Sequence, residues 1–205
     1  DLKKLKVGIC RKCFSKHPHN SSPLQSYFDY GKAGGTPTST NKDYYDGDIP
    51  FLSINDITKQ GKYIKSTDKT ISDLGLKSST AWVVPPYSLI LSMYASVGLP
   101  AINTLPLATS QAMFSMVLSD NRNLDYLYYF LLYFKERVVY KYLETGTQSN
   151  INADIVKSII VPDYGEDNIR IGQLLSSIDT RLQDAVTQGT LYHKQKEVLL
   201  RKLFI

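Results

Sequence analysis

The stretch NIRIGQLLSSIDTRLQDAVTQGTLYHKQKEVLLRKL, residues 168–203, decides how this chain is organised. Its apolar side chains recur at alternating steps of four and three residues, which is the spacing of a coiled-coil seam. A helix of this length spans roughly 50 Å, more than a domain of this size can cover. We therefore expect a long C-terminal coiled-coil helix that pairs with another helix. The predicted pairing residues are Ile171, Leu175, Ile178, Leu182, Tyr192, Leu199 and Leu203. The alternative is a long surface helix that folds back on its own domain.

The two ends of the chain resemble each other. Residues 2–14 read LKKLKVGICRKCF and residues 192–204 read YHKQKEVLLRKLF, with the same placement of basic residues and of a final phenylalanine. An internal repeat is best explained before any fold is assigned. Here it predicts one period of a longer arrangement: a helix tail, a globular domain, a long helix and a helix tail again.

Positive charge is concentrated at these two ends. The 205 residues carry a net charge of +5. Residues 1–19 hold six Lys or Arg and one acidic residue, and residues 191–205 hold four and one, so the middle carries a net charge of −3. A nucleic-acid-binding face on the middle part would therefore have to be a local patch, since the bulk charge there does not supply one.

The composition limits the class of protein. An apolar content of 42% and a charged content of 21% are typical of a soluble globular protein. The longest apolar run, YLYYFLLYF at residues 126–134, is half the length of about 18 residues that crosses a bilayer, so we expect no membrane segment. Two cysteines do not make a disulfide scaffold, and we expect the reducing cytoplasm.

Short strand patterns and turn signals alternate between the two ends. Residues 17–46 are rich in Pro, Ser, Gly, Asn and Thr and predict linker and loop, with one short strand near residues 24–30. Helices are predicted at residues 72–78, where Ser72 can cap the first turn, and at residues 124–143, which present a wide aromatic face. The other predicted strands are residues 49–57, with Asp56 near the end, 64–71, 81–84, 88–94, 101–103, 112–118 and 155–161, the last closed by Pro162.

The Cys10-x2-Cys13-x3-His17-x-His19 pattern contains residue types that bind zinc. The end repeat argues against a metal, because Cys10 and Cys13 stand where Leu200 and Leu203 stand in the second copy, and a small apolar side chain suffices there. We expect no metal site.

The VPPY sequence at residues 84–87 is similar to the core motif of adenine-N6 methyltransferases. That chemistry needs an Asp or Asn before the prolines, and Val84 cannot accept a hydrogen bond from an amino group. A turn between two strands is the better interpretation. No glycine-rich cofactor loop follows a strand, and the three histidines lie in the tails. We expect no cofactor and no catalytic residue.

Two loops have side chains that suit contacts with nucleic acid. In GGTPTS at residues 34–39 the glycines allow close backbone approach and the hydroxyls can donate to phosphate. In TGTQSN at residues 145–150 the Gln and Asn can make paired contacts with adenine in the major groove. Loops of this composition are also ordinary turns. With Lys59, Lys62, Lys65 and Lys77 they could line one basic, hydrogen-bonding face.

In this order, the pieces resemble the DNA specificity (S) subunit of type I restriction–modification systems. The resemblance covers nearly the whole chain, although PDYGEDNIR at residues 162–170 replaces the usual Pro-Leu-x-Glu-Gln before the long helix. The matching stretches are GGTPTS at 34–39, IPFLSINDI at 49–57, ISDLGLKSSTAWVVPPYSLILS at 71–92, SMYASVGLPAINTLPLATSQAM at 92–113, TGTQSNINADIVKSIIVP at 145–162, IGQLLSSIDTRL at 171–182 and KEVLLRKLF at 196–204.

The resemblance implies an α/β (α+β) target recognition domain with a twisted, mixed β-sheet, followed by a long C-terminal coiled-coil helix. Members of the family carry two such units, each reading one half of a split DNA site. Their antiparallel helices set the spacing and dock two modification (methyltransferase) subunits, which recruit the restriction subunit. On this basis residues 1–19 are the tail of a preceding helix, residues 20–164 the recognition domain and residues 165–205 the second helix, so the chain is one half of an S subunit or a half-length S protein.

The resemblance and the residue chemistry together predict a non-catalytic module that binds double-stranded DNA and associates with a second copy or with the missing half. Its predicted DNA contacts are Gly35, Thr36, Thr38, Ser39, Lys59, Lys62, Lys77, Tyr94, Ser96, Thr147, Gln148, Ser149 and Asn150. The alternative is a coiled-coil adaptor, or an inhibitor of such a complex, that does not read DNA.

Overall fold

Helices stand at both ends of the chain in the computed structural model, which describes residues 2–15, 18–137 and 150–203, without the side chains of residues 2, 3, 5 and 6. The helices are α1 (Leu2–Phe14), α2 (Ile54–Gln60), α3 (Asp73–Lys77), α4 (Leu124–Arg137), α5 (Ala153–Ser158) and α6 (Asp167–Leu203), with single 3-10 turns at Leu24–Tyr27, Lys42–Tyr44 and Asn121–Asn123. The long C-terminal helix is therefore confirmed.

The described strands form three sheets. In chain order they are β1 (Asn20–Pro23), β2 (Phe28–Ala33), β3 (Tyr45–Leu52), β4 (Tyr63–Ile64), β5 (Lys69–Ile71), β6 (Val83–Val84), β7 (Leu89–Ser92), β8 (Pro100–Asn103), β9 (Leu107–Thr109), β10 (Met113–Leu118) and β11 (Ile160–Asp163). A five-stranded sheet has the order β2-β10-β7-β8-β4, a four-stranded sheet the order β5-β3-β9-β6, and β1 pairs with β11. The pairs β4–β8 and β3–β9 are parallel and the others antiparallel, so the predicted mixed α/β fold is confirmed.

The strands β7 and β8 of the five-stranded sheet are buried on both faces. Side chains alternate across a strand, so Leu89 and Leu91 of β7 point to one face and Ile90 to the other. Leu89 and Leu91 join a core with α1, α4, α5 and the start of α6, whereas Ile90 joins a core with residues of the four-stranded sheet. This explains why β7 is a continuous apolar run, and it places the helices on one side of the sheet and the second sheet on the other.

The N-terminal helix α1 packs on α4 and α6 of its own chain. Cys10 and Phe14 are buried in the main core, and Cys13 packs partly buried against it. Neither cysteine forms a disulfide. The sequence left open whether this segment packs on its own long helix or on that of a second copy, and in the structure it packs on its own. The predicted domain limits at residues 19 and 164 stay a prediction.

The seam of α6 divides into two parts. Leu175 is only 2% exposed and Ile171 packs beside it on the core of the same chain, so the predicted pairing of these two residues with another helix is corrected. Ile178 and Leu182 are half-buried. Beyond them the seam is open, with exposures of 67% at Tyr192, 58% at Leu199 and 74% at Leu203. The helix therefore lies on its own domain at first and then projects from it for roughly 30 Å.

The strand predicted at residues 49–57 is wrong in its second half. β3 ends at Leu52, and Ser53 caps α2. The Asp56 carboxylate accepts from the Ser53 amide at 2.8 Å, while the Ser53 hydroxyl accepts from the Asp56 amide at 3.4 Å. This reciprocal capping box satisfies two amides at the start of the helix, which apolar alternation does not reveal.

The strand predicted at residues 155–161 is also wrong, except for its last two residues. The Asn152 side chain accepts from the Ile155 amide at 2.9 Å and begins α5, and the strand β11 starts only at Ile160. Pro162 lies inside β11 and does not close it, because this strand pairs with β1 in a two-stranded sheet where a missing amide is tolerated. The strand predicted at residues 64–71 is two strands, β4 and β5, in different sheets.

Both predicted helices of the middle part are found. The Ser72 hydroxyl accepts from the Gly75 amide at 3.1 Å and caps α3, as predicted. The aromatic helix begins at Leu124, and residues 138–143 of the prediction lie outside the described part of the chain. β9 was not predicted, and residues 24–30 begin with a 3-10 turn, so that the strand β2 starts only at Phe28.

Candidate nucleic-acid interface

Three connections meet at one end of the five-stranded sheet. The neighbours β2, β10, β7 and β8 are antiparallel, so the end of β2, the start of β10, the end of β7 and the start of β8 lie at the same edge. We call residues 34–39, 93–99 and 110–112 the loop edge. It contains no charged residue, and its exposed polar groups are hydroxyls, an amide and a phenol.

The two glycines of the first loop hold it against the sheets. The Gly34 amide donates to the Met113 carbonyl at 3.1 Å, and the Gly35 amide donates to the Thr109 carbonyl at 2.9 Å. A Cβ atom at Gly34 would stand 2.0 Å from the Thr109 carbonyl oxygen, and one at Gly35 would stand 2.5 Å from the Ala81 nitrogen. The close backbone approach predicted for DNA is thus made to the protein, and the buried Gly35 is removed from the candidate contacts.

The hydroxyls of the same loop face outward. Thr36, Thr38 and Ser39 are exposed, as the predicted contacts require. The Thr36 hydroxyl donates to the side-chain oxygen of Gln111 in the β9–β10 turn. Gln111 is exposed and was missed in the sequence, although its amide is the kind that pairs with adenine. The sequence signal for Gln111 was the short turn SQA between two strands. One polar residue in a turn is common, so this signal does not mark Gln111 as a contact residue.

The connection between β7 and β8 has an unusual backbone. Ala95 and Ser96 have positive φ angles of 33° and 55°, in the left-handed region that side chains other than glycine disfavour. The Ser92 hydroxyl donates to the Ser96 carbonyl at 2.7 Å and accepts from the Leu99 amide at 3.0 Å. These bonds hold the loop in its strained form and leave Tyr94 and Ser96 exposed, which is where a contact surface would need them.

The second predicted loop approaches the first through its last residue. Thr147, Gln148 and Ser149 lie outside the described residues, while Asn150 is partly exposed. The Ile151 amide donates to the Met93 carbonyl at 3.1 Å, and the Met93 amide donates to the Ala112 carbonyl at 2.8 Å. Asn150 therefore enters the loop edge beside Tyr94.

The predicted phosphate-binding lysines separate into two places. Lys77 is exposed at the end of α3, three residues before Thr80, whose hydroxyl donates to the Gly34 carbonyl at 3.2 Å. Lys59 pairs with Asp68 at 2.6 Å, and this ammonium holds the pKa of the Asp68 carboxyl below its usual value. Lys62 is turned inward, with a side chain only 9% exposed, paired with Asp125 at 2.7 Å. Of these three lysines, Lys77 alone lies beside the loop edge, and the positions of Lys59 and Lys62 do not support a phosphate contact there.

Lys59, Lys62 and Lys65 instead line a groove of about 560 Å³. Its opposite wall is α6, which contributes Asp179 and Asp184. The groove has both signs of charge and lies between the domain and the helix, so the single basic face suggested by the lysines is not formed.

No cluster of three or more His, Cys, Asp or Glu that could hold a metal occurs among the described residues. Within the same ranges, no helix has the length and apolar content to cross a membrane.

The fold is shared with solved specificity subunits. The crystal structure of the HsdS subunit from Thermoanaerobacter tengcongensis superposes with a TM-score of 0.65 at 17% identity, covering 90% of this chain and 44% of that one. The S subunit of a type I restriction–modification system from M. genitalium gives a TM-score of 0.64 at 13% identity, covering 91% of this chain and 50% of that one.

Sequence comparison gives the family. The chain belongs to the type I restriction modification DNA specificity domain family, whose model matches residues 20–189. The specificity subunit of the type I restriction enzyme HindI from Haemophilus influenzae is 28% identical over 189 residues, covering 88% of this chain and 40% of the relative. That of MjaIX from Methanocaldococcus jannaschii is 26% identical over 178 residues, covering 84% and 40%. The chain thus spans about 40% of the length of these curated relatives.

Proposed function

We propose that this chain reads one half of a bipartite site on double-stranded DNA, as part of a type I specificity subunit. The observation that carries the proposal is the family match over residues 20–189, which includes every connection of the loop edge. The long helix then docks the modification (methyltransferase) subunits, and through them the restriction subunit joins the complex. The chain itself supplies recognition and no catalysis.

The chemistry of the loop edge supports base reading. Hydroxyl and amide groups can donate to and accept from base edges, while contacts to phosphate carry no sequence information. Tyr94, Ser96 and Asn150 stand at the centre of the edge, and the predicted Thr147, Gln148 and Ser149 immediately precede Asn150. At the flank, the hydroxyls of Thr36, Thr38 and Ser39 and the ammonium of Lys77 would contact phosphates.

Replacing Gln148→Ala is expected to weaken binding to the cognate half-site by about 1–3 kcal/mol and to relax one base position, because a paired amide contact with a base is lost. The measurement is methylome sequencing of cells that carry the variant with its modification subunit. Gln188→Ala, an exposed glutamine on the projecting part of α6, is the control. An unchanged methylation pattern for Gln148→Ala would reject its role.

The open part of the α6 seam supports pairing with a second helix. Tyr192, Leu199 and Leu203 leave apolar surface in solvent at seam spacing, which a partner helix would cover. The charges favour an antiparallel partner, because Asp179 and Asp184 lie near the domain and Lys194, Lys196, Arg201 and Lys202 lie near the helix end. A second copy of this chain meets both requirements.

Leu199→Asp is expected to weaken self-association by about tenfold or more, because a carboxylate would be buried without a partner in the seam. Sedimentation equilibrium of the wild type and of Leu199→Asp over a concentration series measures the change in the dissociation constant. Thr187→Asp introduces the same charge on an exposed position off the seam and is expected to associate like the wild type. A wild-type chain that stays monomeric at the highest concentrations would contradict self-pairing.

The open seam also favours a second candidate function, a coiled-coil adaptor or an inhibitor of the complex that does not read DNA. A DNA mobility shift with the modification subunit present separates the two functions. Shifts that depend on both salt and sequence support recognition, and shifts that are absent or independent of sequence support the adaptor.

A further inference from the structure

Lys62 lies where three elements meet. It belongs to the turn between α2 and β4, and its side chain reaches across to the two helices on that face of the sheet. Its ammonium is 2.7 Å from an Asp125 carboxylate oxygen at the start of α4. It also donates to the Tyr129 oxygen at 3.2 Å and to the Ser176 hydroxyl of α6 at 2.9 Å. All three N–H bonds of the ammonium thus have a partner, drawn from two different helices.

Aromatic rings enclose this ammonium. It stands 4.6 Å from the ring centroid of Tyr129, 5.0 Å from that of Tyr63 and 5.3 Å from that of Tyr128. The Tyr129 hydroxyl in turn donates to an Asp179 carboxylate oxygen at 3.1 Å. Burial, with Asp179 nearby, raises the pKa of Tyr129, so its hydroxyl keeps the proton that it donates.

Such a cluster restricts the position of α6 relative to the domain more than it adds to the free energy of unfolding. Taking an ammonium out of water is costly, and the cost is offset only when every partner is in place. A small rotation of α6 against the domain would separate Lys62 from Ser176 and Tyr129 from Asp179 together. An apolar contact at the same place would tolerate sliding better, because the hydrophobic effect is non-directional.

Because of its position along α6, a small change of angle at the cluster produces a large displacement at the far end of the helix. Ser176 and Asp179 lie just before the point where the helix leaves the domain, and Gly172 holds the helix closely against Tyr126 one turn earlier. About 30 Å of helix extends beyond, so a tilt of about 10° at the cluster moves the far end by about 5 Å. One base-pair step of DNA is about 3.4 Å, so this displacement exceeds one step.

We propose that Lys62 is a positioning residue that sets the angle between the recognition domain and α6, and through it the number of base pairs between the two half-sites that a complex accepts. The inference rests on the proposed function, since it concerns the spacing of sites that this function reads. It assigns to Lys62 a role in spacing in place of the phosphate contact that its charge suggested.

The test uses the complete complex with its modification subunits and a DNA library in which the two half-sites are separated by spacers of different lengths. Lys62→Met removes the ammonium and keeps most of the side-chain volume. We expect the variant to methylate the same half-site bases, while its preference between adjacent spacer lengths falls by about fivefold or moves by about one base pair. A variant that was only less stable would lower methylation at all spacers in proportion.

Two further variants complete the test. Lys59→Met removes an exposed lysine from the rim of the same groove and is the matched control, expected to keep the wild-type spacer profile. Tyr129→Phe removes only the hydroxyl that joins Lys62 to Asp179, and it is expected to change spacer preference in the same direction if Lys62→Met does not fold. A wild-type spacer profile in every variant of the cluster that folds, or an equal change in Lys59→Met, would overturn the proposal.

A distance measurement on the full chain tests, without any DNA, whether Lys62 restricts the angle between the domain and α6. Spin labels on Lys69→Cys in the domain and Gln188→Cys on the projecting helix, with Cys13→Ala in the background, report a distance that changes with the angle between the domain and α6. The label-to-label distance distribution should be narrow in this background and broader when Lys62→Met is added. An unchanged distribution would count against the role of Lys62 even if DNA reading were established. A complex that methylates no bipartite site would instead reject the proposed function. The role of Lys62 in setting the angle would then be tested by the distance measurement alone.

Discussion

Phe14→Ala is expected to lower the free energy of unfolding by about 3–5 kcal/mol, the range for removing a buried aromatic ring. The Phe14 ring is buried and lies 5.5–5.7 Å, between ring centroids, from Tyr126, Phe130 and Tyr133. It anchors α1 on α4 through these three ring contacts. The substitution therefore tests whether the N-terminal helix is an integral part of the core or an appendage.

Urea denaturation of the purified chain, followed by circular dichroism at low protein concentration, measures this loss. Tyr192→Ala removes a ring of similar size from an exposed position on α6 and is expected to change the free energy of unfolding of the monomer by less than about 0.5 kcal/mol. Equal stabilities for Phe14→Ala and wild type would mean that α1 is not docked in solution.

Gly172→Ala and Gly189→Ala are expected to have opposite signs, although both exchange glycine for alanine within one helix. At Gly172 the added Cβ would stand 2.6 Å from the Tyr126 nitrogen, so α4 and α6 would have to separate. Such overpacking costs about 1–3 kcal/mol. At Gly189 a Cβ meets nothing within 4 Å, and the better helix propensity of alanine is expected to stabilise the chain by up to about 1 kcal/mol.

The pair provides its own control, because the change in composition is identical. Urea denaturation of both variants at one protein concentration gives the difference in free energy of unfolding, which should be about 1–4 kcal/mol. If both substitutions stabilise the chain, α6 does not lie against α4 as described. The helix would then not be held to the domain at both Gly172 and the Lys62 cluster, as the proposal for Lys62 requires.

Periodic features were the most predictable part of the fold. The long helix followed from a seam repeated over its whole length, and Ser72 marked α3 because a hydroxyl before a short apolar run caps a helix locally. The errors arose where local polar groups outweigh the apolar pattern. Ser53 begins a helix inside the strand predicted at residues 49–57, and Asn152 begins a helix that runs into the strand predicted at residues 155–161.

The candidate site was less predictable, because its contacts join residues distant in the chain. A lysine in a sequence shows no partner, so nothing indicated that Lys62 would meet Asp125 while Lys77 stayed free of the same helices. In the same way the glycine Gly35 could be recognised as a place of close approach, but its neighbour Thr109 comes from a strand that was not predicted. The seam likewise gave no sign that Leu175 would be covered by its own domain.

The docking of α1 also bears on where this domain could be joined to a related protein without loss of its core. A junction placed in the turn after α1 would combine a foreign α1 with the native aromatic face of α4. The foreign helix would then have to supply a side chain that fits the rings contacted by Phe14. A junction upstream of Leu2 transfers the helix together with the surface that receives it. The smallest unit that can be transplanted with its core intact therefore begins at α1 and not at the first strand, and hybrid proteins joined at these two points should differ in yield of folded protein.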